Sequence, residues 1–164
     1  MIMTTDKSSL HEAISNMLIE CDLFQTFTWP EVQSAARYFN LSEIEEGGAI
    51  FQEGDMGSFM GIINDGTVNV LKSNLEEHNV QLASLPKGRT FGEMAVLDGE
   101  RRSATCIAAT DCLLLTLSKE SLDKMIEEMP AIAAKLIRVV AIALSRRLRM
   151  ADGKLIDRRL NCAF

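Results

Sequence analysis

Histidine is nearly missing from this 164-residue chain: there are two, His11 and His78, far apart in sequence. A pair so separated is a poor start for a metal site or a His-based hydrolase, and both read as ordinary surface residues. Four cysteines, Cys21, Cys106, Cys112 and Cys162, form neither a Cys-x-x-Cys pair nor the close cluster of a zinc or iron–sulfur site. They are expected to be reduced thiols, at least two of them in core strands, and no metal and no cofactor is expected. Basic excess is absent too. A net charge of −6 and a pI near 5.0 argue against a surface built to neutralise phosphates, so no nucleic-acid partner is expected. The longest apolar stretch, Ala131 to Leu144, is interrupted by Lys135 and Arg138, and the first twelve residues lack the apolar core of a signal peptide. These absences place the chain in the cytoplasm and away from membranes.

What remains is an ordinary globular balance, 47% hydrophobic and 24% charged, at a length that fits one domain over 1–164. No internal repeat or low-complexity linker divides it. Ser9-Leu10-His11-Glu12 has the form of a capping box and leads into Ile14, Met17 and Leu18 at helical spacing, predicting a helix over about 10–20. Thr28-Trp29-Pro30-Glu31 repeats the device before Val32, Ala35, Ala36 and Phe39. Two short helices therefore fill about 10–40.

From about 41 to 118 the pattern changes to short β-type runs: 41–45, 49–52, 59–64, 66–72, 79–85 and 103–118. Glycine turns such as Asp65-Gly66 separate them, which indicates an all-β sandwich, barrel or roll. Ser118 then starts a closing helix, and Pro130 separates it from a longer one over about 131–150, with Asp152-Gly153 as its stop and 151–164 as a tail. The long helix carries two apolar rows, Ala133, Ile137, Val140, Leu144 and Leu148 on one, and Ile132, Leu136, Val139, Ala143 and Met150 on the next. A helix covering its own domain needs one stripe, so the second row is expected against another copy of the chain; the alternative is deep packing within one protomer.

Chemistry concentrates between Lys87 and Thr105. Gly92 falls at a strand end and Glu93 to Leu97 reads as a helical turn inside a β domain. A helix start after a glycine presents free backbone N–H groups, and Arg102 could close over a bound phosphate with its planar donor fork. Glu93, beside such a phosphate, would have to turn towards a hydroxyl, for which a ribose 2′-hydroxyl is the obvious candidate. Read alone, Glu93 and Arg102 could equally be a surface ion pair.

Phe91-Gly92-Glu93-Met94-Ala95-Val96-Leu97 followed by Arg102-Ser103-Ala104-Thr105 closely resembles the phosphate-binding cassette of the cyclic-nucleotide-binding domain family, of the catabolite-activator and protein-kinase-A regulatory-subunit type. Ile50 to Asp55 and Ile62 to Val70 resemble the family's early strands and glycine turns, and the resemblance spans about residues 24–150. It implies a mainly β fold with flanking helices, a double-stranded β-helix or jelly-roll-like β-roll with N-terminal helices and a C-terminal helix pair. It implies cyclic AMP or cyclic GMP as ligand. Arg102 would pair with the cyclic phosphate, Glu93 would accept from the ribose, and Gly92, Ala104 and neighbours such as Met94 and Ala95 would complete the site with backbone groups. Ser103 would reach the phosphate or a guanine edge. The side chains of Phe91, Met94, Val96 and Leu97 are expected in the core.

Three positions depart from the family pattern. Arg101 stands where many members have proline; Gly61 replaces a common aromatic, which should weaken packing in the third strand; and Met150-Ala151-Asp152 replaces the Thr-Ser pair with which catabolite activators read adenine. The functional expectation is a regulatory sensor, not an enzyme, that signals through its C-terminal helix, forms a homodimer on that helix and could act on a protein effector. Loss of Arg102 should weaken binding without disturbing the fold. The alternatives are a β-roll interaction module with an unoccupied site, or a transcription regulator truncated before its DNA-binding domain, since no recognition helix fits in the 14 positions from Ala151 to Phe164.

Overall fold

The structure, a computed structural model, describes residues 6–76 and 78–161; Cys162 lies outside them. The first helix, α1 (Lys7–Ile19), starts one turn before the Ser9 box. Ser9 Oγ donates back to the Asp6 carbonyl at 2.9 Å and caps nothing. The second box forms as expected. Thr28 N–H donates to Glu31 Oε2 at 2.8 Å, Glu31 N–H returns to Thr28 Oγ1 at 3.4 Å, and Pro30 sits in the first turn of α2 (Trp29–Ala36), where its missing N–H costs nothing.

Eight strands follow: β1 (Asn40–Ile44), β2 (Ala49–Phe51), β3 (Phe59–Asp65), β4 (Val68–Ser73), β5 (Asn79–Leu85), β6 (Thr90–Phe91), β7 (Thr105–Ala108) and β8 (Cys112–Ser118), with α3 (Glu93–Asp98) between β6 and β7. They form two antiparallel four-stranded sheets, in the orders β1-β8-β3-β6 and β2-β7-β4-β5. This is the expected β-roll. The single run 103–118 is two strands, because a turn at Ala109–Asp111 passes the chain from one sheet to the other.

The first sheet is buried on both faces, which explains why β3 and β8 read as nearly continuous apolar runs and not as alternation. Ile63, Leu114 and Cys112 point into the roll with Val68, Cys106 and Ala108. Met60, Ile62, Leu115 and Leu117 form the opposite face, under the helices, with Leu18, Phe24 and Val32. Cys106 and Cys112 are thus buried strand thiols, as expected. The third strand is not loosely packed at Gly61. A Cβ there would lie 2.3 Å from Phe91 Cζ, so the Phe91 ring takes the space an aromatic on β3 would have filled.

Ser118 Oγ accepts from Ser121 N–H at 3.0 Å and starts α4 (Lys119–Glu128); Pro130 opens α5 (Pro130–Asn161). Here the expected end fails, since the helix runs through Asp152-Gly153 and the presumed tail is helical to Asn161. Gly153 is not among the positive-φ glycines. A helix-interior glycine costs about 1 kcal/mol, which the good helix formers Lys154, Leu155 and Arg158 around it offset.

The two apolar rows also divide differently from the expectation. Leu136 is 1% exposed, and Ile132 and Val139 pack on the same core, so the second row belongs to the protomer as far as Val139, while its Met150 is 64% exposed. Ala133 and Val140 of the first row are buried as well. Two long-range ties anchor the arrangement: Lys135 Nζ to Glu31 Oε2 at 2.8 Å and Tyr38 Oη to Glu128 Oε2 at 2.6 Å. Among the described residues no helix is long and apolar enough to cross a membrane.

Candidate ligand-binding site

The roll closes around a cavity of about 240 Å³ between the two sheets and α3. All seven residues expected at the site, Gly92, Glu93, Met94, Ala95, Arg102, Ser103 and Ala104, line it. Phe51, Val70, Leu85, Phe91 and Cys106 supply apolar wall, and Arg101 and Arg147 stand at its edge.

Glycine is required at position 92 twice over. Its φ is +72°, and a Cβ there would lie 2.6 Å from Arg102 Nη1 and 3.2 Å from the Phe59 carbonyl. That close approach lets Arg102 enter the roll. Its side chain is 4% exposed, with Nη1 donating to the Gly92 carbonyl at 3.0 Å and Nη2 to the Phe59 carbonyl at 2.5 Å. The guanidinium lies 3.8 Å from the Phe51 ring centroid and 4.9 Å from that of Phe59, two rings set edge to face beside it whose cation–π contacts offset part of the desolvation. Burial pulls the Arg102 pKa down, against the opposing fields of Cys106, Asp55 and Glu93. Of its five N–H groups two are used, and Nε is buried without a partner.

Glu93 is 2% exposed. It is no surface ion pair with Arg102; its Oε1 accepts from Arg147 Nη1, and Oε2 is buried without a partner. Arg147 comes from the middle of α5 and also donates through Nη2 to the Thr90 carbonyl at 2.6 Å and to Thr90 Oγ1 at 3.2 Å. One guanidinium thus ties the long helix to both ends of the β6–α3 turn. Sequence reasoning did not find Arg147. Its signal was the spacing: Ala133, Leu136, Val140 and Arg147 fall on one core-facing side of the helix, and an arginine continuing an apolar row needs a buried acceptor.

Other expectations are corrected by position. Met94 and Leu97 are 51% and 40% exposed, because α3 has six residues and turns only Glu93, Ala95 and Val96 inward. So short a helix carries little dipole, and the cationic group inside the cavity is the Arg102 guanidinium. Arg101 donates to the Gly54 carbonyl at 2.9 Å and pairs with Met56 across a β-bridge, stapling the cassette to the β2–β3 loop where proline would have stiffened it. Ala151 and Asp152 are exposed on α5 and are not on the cavity wall.

Nothing in the cavity resembles a nucleophile with its base. Burial pushes the Cys106 thiol up to about 12, far from the thiolate a reactive cysteine needs. Among the described residues no group of His, Cys, Asp and Glu is arranged to hold a metal ion.

Comparison with known proteins agrees with this geometry. The sequence profile described as Cyclic nucleotide-binding domain matches residues 41–129. A protein of Thermus thermophilus named Cyclic AMP receptor protein is 36% identical over 133 residues, 81% of this chain and 60% of that protein. A cGMP-dependent protein kinase of Caenorhabditis briggsae is 31% identical over 73% of this chain and 16% of its own length. The crystal structure of a cyclic nucleotide-binding domain from Methylobacillus flagellatus superposes with a TM-score of 0.80 at 26% identity, covering 90% of this chain and 83% of that one. The chain spans about three-fifths of the length of its bacterial regulator relatives. With a β-roll, an Arg–Glu cassette on one cavity and a profile match across the roll, this chain belongs to the cyclic nucleotide-binding domain family.

Proposed function

We propose that the chain is a cytoplasmic sensor that takes cyclic AMP or cyclic GMP into the cassette cavity and passes the event to α5 through Arg147. One observation carries the reading: two oppositely charged, buried side chains of the same cavity each hold one unpartnered polar atom, Arg102 Nε and Glu93 Oε2. Buried polar groups are ordinarily paired. A cyclic phosphate oxygen accepts from the first, and a ribose 2′-hydroxyl donates to the second. The relatives' names, a cyclic AMP receptor and a cGMP-dependent kinase, support either base.

Transmission follows from Glu93 being shared. A ribose hydroxyl on Oε2 draws charge away from Oε1 and weakens the bond to Arg147, which is the tie holding α5 to the cassette. The cavity is smaller than the roughly 300–1,000 Å³ of typical small-molecule sites, so an entering nucleotide presses on its rim, where Arg147 stands. Ligand then biases α5 by its differential affinity for the tied and released states.

The output is a homodimer. Leu148, Ala151 and Leu155 recur at the three-four spacing of a coiled-coil seam on the part of α5 that its own core leaves uncovered, and Leu148 and Leu155 are 64% and 59% exposed. This seam replaces the row first expected to pair. Calorimetric titration with cyclic AMP, cyclic GMP, AMP and cyclic di-GMP tests the ligand reading. One of the two cyclic mononucleotides is expected to bind most tightly, and equal or absent binding of all four refutes it.

A further inference from the structure

The peptide joining Ser103 to Ala104 has its carbonyl held by a side chain from another part of the roll. Lys72 Nζ, on β4, donates to the Ser103 carbonyl at 2.6 Å and to Glu53 Oε1 at 3.3 Å. Glu53 is itself fixed: Oε2 accepts from Ser73 N–H at 3.0 Å, and its own N–H donates to Thr105 Oγ1 at 2.9 Å. The Ser73 amide foremost, and then Lys72, hold the Glu53 carboxyl below its ordinary range. The main chain of the neighbouring residue is fixed by backbone partners, Arg102 N–H donating to the Asp55 carbonyl at 2.7 Å and Gly54 N–H to the Arg102 carbonyl at 2.9 Å.

In a trans peptide the C=O and N–H lie in one plane and point opposite ways, and among the described residues no peptide bond is cis. An ammonium that draws the Ser103 carbonyl towards β4 therefore turns the Ala104 N–H the other way, and both residues line the cavity. Among the described residues that N–H makes no backbone hydrogen bond outside the regular elements. A cation on a carbonyl oxygen also polarises the amide and strengthens its N–H as a donor.

We infer that Lys72 is a positioning residue that aims and polarises the Ala104 N–H for an anionic ligand, with Glu53 holding Lys72 in place. The inference rests on the cyclic-nucleotide reading of the cavity. The Lys72–Glu53 pair has side chains 48% and 30% exposed, and such half-exposed pairs contribute little to stability. The effect falls on ligand affinity, not on the fold.

The test compares the full chain with Lys72→Met and Lys72→Arg, titrated with cyclic AMP and with its two phosphorothioate diastereomers, which place sulfur, a poor acceptor, at one exocyclic position or the other. The unmodified protein is expected to prefer one diastereomer. Lys72→Met is expected to bind cyclic AMP about ten-fold more weakly, the loss of one charge-assisted bond, and to lose most of the diastereomer preference. Lys72→Arg keeps both, and all three proteins melt within a few degrees of one another without ligand. The Ala104 amide proton resonance moves upfield in Lys72→Met before any ligand is added. If the unmodified protein binds and Lys72→Met matches it in affinity, or weakens but keeps the diastereomer ratio, the positioning role is overturned while the ligand reading stands. If the unmodified protein binds no cyclic nucleotide, the ligand reading itself falls and this inference with it.

Discussion

Replacing Arg102 with alanine removes two things at once. The proposed phosphate partner goes, and on that proposal the loss of one member of a desolvated charge pair costs roughly 3–5 kcal/mol, about two to three and a half decades in dissociation constant. The fold loses support as well, contrary to what the sequence suggests, because Arg102 satisfies the carbonyls of Gly92 and Phe59 and stacks on Phe51. Each carbonyl left without a partner costs about 1–3 kcal/mol. Water entering from the cavity mouth keeps the sum near the lower end, about 2–4 kcal/mol. For a chain of this size that lowers the melting temperature by roughly 5–15 °C.

The two effects separate in a melting series with and without ligand. At ligand a thousand times the unmodified protein's dissociation constant, mass action adds about 4 kcal/mol. A variant whose dissociation constant has risen a thousand-fold gains only about 0.4 kcal/mol at that concentration. Arg102→Ala should thus melt lower without ligand and gain almost nothing from it. Arg102→Lys, which keeps the charge but not the fork, should fall between. An alanine variant that melts like the unmodified protein refutes the structural role. One that gains the full ligand shift refutes the phosphate role.

Arg147→Met leaves the Glu93 carboxylate buried without its cation and should destabilise the ligand-free chain by about 2–4 kcal/mol, below the full cost of breaking a buried pair because Arg147 is partly exposed; hydrogen exchange across residues 140–155 should rise to the level that ligand produces in the unmodified protein, and unchanged exchange removes Arg147 as the link. Leu148→Glu with Leu155→Glu should give folded monomers by light scattering, whereas Leu136→Glu should unfold the chain at a cost of about 4 kcal/mol or more; a folded monomer from Leu136→Glu contradicts the observed packing. The Glu31 carboxyl is held below its ordinary 4.5 by Lys135 and the Thr28 amide. A depressed native pKa stabilises above the unfolded value and is lost as pH falls through the native one, so the α2–α5 clamp should weaken below about pH 4.5, and Glu31→Gln should flatten that part of the pH–stability curve measured by urea titration.

Local chemistry wrote much of this protein into its sequence. The Thr28 capping box, the Ser118 cap and most of the β-type runs each depend on residues within a few positions of one another and appear close to where the spacing put them, the run 103–118 being split into two strands and the short β6 falling in none of the expected runs. The cassette was legible for the same reason: Gly92, Glu93, Arg102 and Ser103 lie within twelve positions, and all line one cavity. Where short-range rules were ambiguous the reading slipped. Ser9 looks like a cap but sits inside a helix that begins at Lys7, and Asp152-Gly153 looks like a stop but is carried through by its neighbours.

Only tertiary structure could assign partners across long separations. Glu93 meets Arg147, Ser103 meets Lys72, and Gly61 meets the Phe91 ring, because the register of β3, β6 and β8 and the placement of α5 bring them together. The same packing decided which stretch of α5 is core and which is left outside, both rows being covered as far as Leu144 and both exposed beyond it. A helical pattern records how many faces are apolar, but not which face the rest of the chain covers; that is settled when the roll and the N-terminal helices bury Leu136 and Val140 and leave Leu148 and Leu155 in water.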